Sequence, residues 1–126
     1  MSLEGLRVLV VEDELLVAME IKMTLAELGC EVVGPVSTLR EALAVIGGRE
    51  LDGALLDVNL HGEHAYPAAE ALRARSIPFV FLTGYTGLPP PPAAALAEAP
   101  RLRKPFSRAE LVEAVRLRIG RRDATP

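Results

Sequence analysis

The chain has 126 residues, of which 50% are hydrophobic and only 4% aromatic, and its formal net charge is -3. This length suits one domain with an aliphatic core, and the acidic balance excludes a typical nucleic-acid binder, which needs clustered Lys and Arg. No apolar run approaches the roughly 18 residues of a membrane span. With Cys30 as its one cysteine, the chain is expected to be cytoplasmic, with an ordered core from about residue 5 to 119 and a frayed tail at 120–126.

Short apolar runs alternate with segments of helical period along the chain. Five runs are predicted to be strands, at 6–11, 31–36, 54–58, 78–82 and, more weakly, 100–103. The apolar stripes of the predicted helices consist of Val17, Ile21, Leu25 and Leu28, then Leu39, Ala42, Leu43 and Ile46, and near the end Leu111, Val112, Val115 and Ile119. The alternation predicts a parallel sheet with helices on both faces.

Helix boundaries are marked by capping residues. Thr38 precedes Glu41 by three residues, as Ser107 precedes Glu110, and Pro67 suits the first turn of a third helix. The irregular segment is 84–100, which contains four consecutive prolines that cannot donate backbone hydrogen bonds. An extended lead into a short, weak helix at about 93–99 is therefore expected.

Polar residues follow the predicted strands at their carboxyl ends, where open parallel sheets gather ligands. They are Glu12 and Asp13 at the first strand, Asp57 and Asn59 at the third, Thr83 at the fourth and Lys104 at the fifth. Carboxylates within about 5 Å would repel by roughly 3 kcal/mol per pair at an effective dielectric near 20. The sequence thus predicts a cation, and oxygen ligands with open positions for water favour Mg²⁺.

The other strand-end residues suit an anion beside that cation. Lys104 supplies a second positive charge, Thr83 supplies a hydroxyl donor, and Gly84 leaves room for a group of phosphoryl size.

Taken in order, the acidic pair, the central Asp, the Thr and the Lys-Pro dipeptide resemble the receiver domain of bacterial two-component response regulators. The resemblance covers almost the whole chain. It implies a single α/β domain over residues 1–126, with a flavodoxin-like, doubly wound (βα)5 architecture. The five-stranded parallel sheet would have the order 2-1-3-4-5, and the fourth helix would be short or irregular.

The resemblance also implies a role for each matched residue. Asp57 would accept a phosphoryl group from a histidine of a sensor kinase or phosphotransfer protein. Thr83 and Lys104 would bind the phosphoryl oxygens, and the peptide bond between Lys104 and Pro105 would be cis. The implied Mg²⁺ ligands are Glu12, Asp13, Asp57 and the backbone carbonyl of Asn59.

The sequence departs from the usual receiver pattern in two places. Glu12 stands where many receivers carry Asp, and Arg101 occupies the position of an aromatic switch residue. The stretch "FLTGY" is similar to an atypical subgroup whose fourth strand ends Phe-Ala-Thr-Gly. We therefore expect Tyr85, Arg101 and the 84–100 segment to form a signalling surface in place of the aromatic switch.

Three interpretations of function remain open at this point. The first is a stand-alone switch, or a phosphate sink, whose output is a contact with a downstream protein at the surface of the fourth helix, fifth strand and fifth helix. The second is a receiver-like binding module that is not phosphorylated. The third is an aspartyl-phosphate phosphohydrolase, which usually needs a second Asp two residues after the nucleophile, where this chain has Asn59.

Several charged residues are expected to have no part in the chemistry. Glu14 should simply begin the first helix, where the macrodipole favours a carboxylate. His61 and His64 lie in a loop without an evident third ligand, so no metal site is predicted there. Arg101, Arg103 and Arg108 are expected to form a solvated basic strip.

Overall fold

The computed structural model describes residues 3–84 and 94–120. Five parallel strands form one sheet in the order 2-1-3-4-5, which confirms the predicted topology. In chain order they are β1 Arg7–Val11, β2 Glu31–Val36, β3 Gly53–Asp57, β4 Phe79–Thr83 and β5 Arg101–Arg103. The helices are α1 Leu15–Glu27, α2 Leu39–Gly48, α3 Tyr66–Ala74, α4 Ala94–Ala97 and α5 Arg108–Arg118.

Two apolar cores lie on opposite faces of the sheet. Val8 and Val10 of β1 pack with Ile21 of α1 and Val115 of α5. The intervening Leu9 belongs to the other core, with residues of α2 and α3. This alternation follows from the two-residue repeat of a strand, in which successive side chains point to opposite faces. Strands covered on both sides need continuous apolar runs, and these runs made the strands recognisable in the sequence.

The helix ends follow the predicted signals closely. Ser107 and Glu110 form a reciprocal capping box at α5, and the Thr38 hydroxyl accepts a hydrogen bond from the Glu41 N–H at α2. The Glu41 carboxylate accepts from the N–H of Ser37 rather than from that of Thr38, so this second box is incomplete. One core prediction is wrong: Leu43 is 38% exposed, because α2 turns it away from its buried neighbours.

The fourth helix is a single turn, shorter than the predicted 93–99 segment. Tyr85 and the four prolines, to which a signalling role was assigned from the sequence, lie outside the described residues. None of the helices within the described ranges is long and apolar enough to cross a membrane.

A small antiparallel hairpin, absent from the sequence-based prediction, follows β3. Asn59–Leu60 pairs with Glu63–His64, and the two turn residues, His61 and Gly62, both have positive φ, at 51° and 84°. Positive φ at both central residues is the geometry of the two-residue hairpin turn that suits the twist of the strands. The hairpin brings a short exposed loop to the end of the sheet where the carboxyl ends of the parallel strands lie, called the carboxyl edge below.

The opposite edge of the sheet is closely packed. Gly53 begins β3, and a Cβ atom at this position would overlap the side chain of Ile119, which follows α5. Only glycine lets this helix end approach the strand so closely. Ile119, near the end of the described chain, is therefore packed directly against Gly53, the first residue of the central strand.

Candidate functional site

Four strands deliver polar side chains to one place at the carboxyl edge. Asp57 is paired with Leu82 in the register of β3 and β4, and Thr83 with Arg103 in that of β4 and β5. The backbone N–H of Lys104 donates to the carbonyl of Thr83 at 2.7 Å. Thr83 and Lys104 are thus held on adjacent chain segments beside the end of β3, as the sequence predicts.

The Lys104 ammonium is the centre of this site. Its Nζ atom lies 2.8 Å from Oε1 of Glu12, 3.0 Å from Oδ2 of Asp57 and 2.8 Å from Oε1 of Glu14. The Lys104 side chain is only 14% exposed, and those of Glu12 and Asp57 are buried. One cation therefore offsets several carboxylates where bulk water screens them poorly.

Glu14 is the member of this group that the sequence analysis missed. It is the N-cap residue of α1, but its side chain makes no capping hydrogen bond and reaches Lys104 instead. Its own N–H donates to Oε2 of Glu12 at 3.0 Å. The expectation that Glu14 merely begins a helix was incomplete, because the ion pair links residues 90 positions apart and no local pattern reveals it.

The acidic side chains also fit a divalent cation. One carboxylate oxygen from each of Glu12, Asp13 and Asp57 lies within 4.8 Å of the others, so the three side chains could hold one metal ion. Within the described part of the chain, buried Oε1 of Glu12 has an ion-pair contact with Lys104 but no aligned hydrogen bond. This oxygen keeps acceptor capacity for a hard cation, so the residues fit the predicted Mg²⁺.

The environment shifts the pKa values of these groups away from their ordinary ranges. Burial raises the pKa of Glu12 to about 8, and a hydrogen bond shared with Asp57 acts in the same direction. Burial likewise raises the pKa of Asp57, although hydrogen bonds with Glu12, Asn59 and Lys104 oppose it. Burial would lower the pKa of Lys104, but its bonds to the Glu12, Glu14 and Asp57 carboxylates raise it overall. Without a metal, the pocket therefore retains a proton more readily than isolated carboxylates do.

Asp13 is held differently from the other two acids. Its Oδ2 accepts a hydrogen bond from the backbone N–H of His61 at 2.9 Å, and the His61 ring nitrogen Nδ1 lies 3.6 Å away. Burial alone would raise the pKa of Asp13, but the His61 N–H and a bond with Asp57 lower it overall. Asp13 thus stays ionised and ties the hairpin to the end of β1.

Asn59 lies beside the phosphoacceptor candidate. Its backbone N–H donates to Oδ1 of Asp57 at 3.0 Å, which fixes the carboxylate orientation. Its side-chain oxygen accepts from the N–H of Gly62 at 2.9 Å and so belongs to the hairpin turn. The role of its backbone carbonyl as a metal ligand stays a prediction.

The two loop histidines do not join the acidic cluster. The group of described side chains close enough to share a metal ion consists of three carboxylates, and neither His61 nor His64 is among them. The His64 ring instead lies 4.8 Å from that of Tyr66, measured between centroids.

Arg101 is exposed, like Arg103 and Arg108, as the sequence analysis expected, but its guanidinium also makes specific contacts. Its Nη2 atom donates to the carbonyls of Leu96 at 3.2 Å and Ala97 at 3.1 Å, and its guanidinium lies 5.6 Å from the centroid of the Phe81 ring. Arg108 is likewise engaged, in an ion pair with Glu27. Arg101 therefore connects the last turn of α4 to β4 and β5.

Comparisons with known proteins show which family and which solved structures this chain is similar to. A family model described as the response regulator receiver domain matches residues 8–116. The chain is 41% identical to SdrG from Sphingomonas melonis Fr1, whose solution structure aligns with a TM-score of 0.76 over 91% of this chain and 96% of that one.

Two further relatives are informative. The receiver domain of the sensor histidine kinase PA1611 from Pseudomonas aeruginosa PAO1, solved with a magnesium ion coordinated in its active-site cleft, is 29% identical, with a TM-score of 0.78 over 93% of this chain and 99% of that one. The transcriptional regulatory protein PdtaR from Mycobacterium tuberculosis is 32% identical over 117 residues, which is 91% of this chain. The match spans only 57% of PdtaR itself.

Proposed function

The chain belongs to the family of response regulator receiver domains, and from this premise we propose that it is a signalling switch phosphorylated on Asp57. The observation that carries the proposal is the placement of the Asp57 carboxylate between two donors. Oδ2 lies 3.0 Å from Nζ of Lys104, and Oδ1 accepts from the N–H of Asn59. A carboxylate held in this way has a fixed direction of attack.

The proposed reaction is a phosphoryl transfer from a phosphohistidine. An oxygen of Asp57 forms the new P–O bond as the N–P bond breaks, and the electron pair of that bond returns to the imidazole nitrogen of the donor. Lys104 donates an N–H to the transferring phosphoryl oxygens, and Thr83 a hydroxyl. Glu12, Asp13, Asp57 and the Asn59 carbonyl would hold a magnesium ion, which would neutralise phosphoryl charge.

The donor is proposed to be a sensor histidine kinase or a phosphotransfer protein, acting in the cytoplasm on residues 1–126 as one receiver domain. A row of exposed apolar side chains on α1 supports a protein donor. It begins directly after Glu14, beside the site, and comprises Leu15, Leu16, Met19 and Met23. Exposed apolar patches of this kind mark protein contacts.

The output is proposed to be a second protein contact, at the surface formed by α4, β5 and α5. Phosphorylation adds negative charge and strong acceptor oxygens at Asp57. Movement of Thr83 toward these oxygens would shift the end of β4. Arg101 connects β4 to α4, because it contacts Phe81 of β4 and the carbonyls of Leu96 and Ala97. Direct nucleic-acid binding is not proposed, since the net charge is negative.

The test is incubation with Mg²⁺ and acetyl phosphate followed by intact-mass measurement. Wild type should gain the mass of one phosphoryl group, and Asp57→Asn should gain none. Asp52→Asn, which removes a carboxylate bonded to the N–H of Arg7 at the other edge of the sheet, is the matched control and should be modified like wild type.

Two other outcomes would favour the other interpretations. No adduct on wild type would make the chain a binding module that does not take phosphate. Turnover of a small phosphomonoester faster than self-dephosphorylation would make it a phosphohydrolase. The placement of Asn59 argues against this second outcome, because its side-chain oxygen is bonded in the hairpin and an amide cannot act as the acid and base.

A further inference from the structure

Glu14 occupies the solvent side of the Lys104 ammonium. Its side chain is 62% exposed, whereas the other two carboxylates in contact with Lys104 belong to the buried residues Glu12 and Asp57. The backbone of Glu14 is fixed by its N–H bond to Glu12 and by its carbonyl, which accepts from Ala18 in the first turn of α1. The exposed carboxylate is thus held at the mouth of the pocket, where a phosphodonor has to enter.

The contacts of Lys104 use its full donor capacity. An ammonium has three N–H donors, and Nζ contacts three carboxylates, those of Glu12, Asp57 and Glu14. An incoming phosphoryl group needs a donor from Lys104 while the Asp57 carboxylate is still ionised and in contact with it, so one of these contacts has to open before transfer. Glu14 is the partner that can return to water at least cost, because a largely exposed carboxylate regains hydration that a buried one cannot.

We propose, on the basis of the phosphoacceptor function argued above, that Glu14 is a positioning residue that restrains Lys104: its carboxylate holds the ammonium beside Asp57 in the resting protein and releases it to the incoming phosphoryl group. The same carboxylate places a negative charge where the donor phosphate approaches. Glu14 therefore slows phosphorylation by anionic small donors, and it does so more strongly as the charge of the donor increases.

The experiment measures the second-order rate constant of phosphorylation of Glu14→Gln by acetyl phosphate and by the less negative phosphoramidate, in Mg²⁺. We expect an increase of about three- to tenfold with acetyl phosphate, since one charge acting at about 5 Å is worth this factor in a mostly aqueous setting. A smaller increase is expected with phosphoramidate, and high salt should reduce both. Thermal unfolding is recorded for each variant, because a residue that only begins α1 would change stability without changing the ratio between donors.

Glu20→Gln is the matched control, since it removes the same charge from an exposed position of the same helix, one for which the structure gives no ion pair with Lys104. It should leave both rate constants near those of wild type. Should Glu14→Gln not fold, Glu14→Ser makes the same change of charge with a favoured N-cap residue.

Equal rate constants for Glu14→Gln and Glu20→Gln, or a slower reaction of Glu14→Gln, would overturn the inference while leaving the phosphoacceptor function intact. Failure of wild type to be phosphorylated under the same conditions would instead overturn the proposed function itself.

Discussion

The Nζ atom of Lys104 lies 2.8 Å from Oε1 of Glu12, whose side chain is fully buried. Removing one partner of such a pair leaves a charge with neither water nor a counter-ion, which costs more than the pair itself contributes. The first two predictions follow from this arrangement.

Lys104→Met should destabilise the metal-free protein by about 2 kcal/mol near pH 8, because Glu12 and Asp57 lose their cation. Added Mg²⁺ should recover more stability in this variant than in wild type, since the ion would then be the main positive charge in the pocket. Urea unfolding with and without Mg²⁺ measures both effects. Lys22→Met, on the exposed side of α1, is the control, and an equal loss in the two variants would contradict the prediction.

The stability of the metal-free protein should fall as pH rises from 4.5 to about 8, the interval between the ordinary pKa of Glu12 and its value in the fold. A group whose pKa is raised on folding favours the native state below its ordinary pKa, and this contribution is lost as pH passes the raised value. We expect the free energy of unfolding to fall by about 1–2 kcal/mol over this interval. The change is kept small because the titration of Glu12 is linked to that of Asp57 and Lys104. Glu12→Gln should flatten the dependence in urea unfolding, and a slope unchanged in this variant would assign the effect to another group.

Leu16→Glu should slow phosphorylation by a protein donor about tenfold, since a central apolar contact is typically worth more than 1 kcal/mol. Leu16 is 80% exposed on α1 near the site. Phosphorylation by acetyl phosphate should slow much less, since only the added charge acts on a small donor. The control is Leu117→Glu on α5, where the leucine is 71% exposed. Transfer is measured from a phosphorylated histidine kinase or phosphotransfer protein, and similar rates for both variants would argue against donor docking on α1.

Arg101→Gln should lower the free energy of unfolding by about 1 kcal/mol and destabilise α4 locally. The variant loses the hydrogen bonds to the Leu96 and Ala97 carbonyls and the contact with Phe81. Hydrogen exchange at the amide of Ala99, which donates to Leu96, should become faster. Arg103→Gln on the same strand is the control. Unchanged exchange in Arg101→Gln would mean that α4 is held by its apolar contacts alone.

The fold and the main site residues could be predicted because their signals are local. Buried parallel strands require continuous apolar runs, and these runs ended one residue from the observed boundaries at β3 and β4. Once the strands are parallel, their carboxyl ends meet at one edge, so Asp57, Thr83 and Lys104 had to lie near one another. The cis peptide bond at Lys104-Pro105, expected from the resemblance, is also present.

The remaining features depend on geometry that no short stretch of sequence contains. Glu14 and Arg101 have long side chains whose partners lie on other elements, so their contacts become evident only when those elements are in place. The hairpin was missed because its turn carries His61 at positive φ, where Asn or Asp would have been the recognisable signal. Leu43 matches the helical period but lies at the edge of the apolar stripe. A small rotation of the helix about its axis determines whether a residue at this edge is buried or exposed.

The contact between Gly53 and Ile119 clamps the amino-terminal end of the central strand. Asp57 lies at the other end of the same five-residue strand. A chemical event at Asp57 is therefore expected to displace the segments at its own end of the strand rather than Gly53. The two ends of the strand therefore differ: a change at the end with Asp57 can pass to α4 through β4 and Arg101, whereas the end with Gly53 is a fixed support.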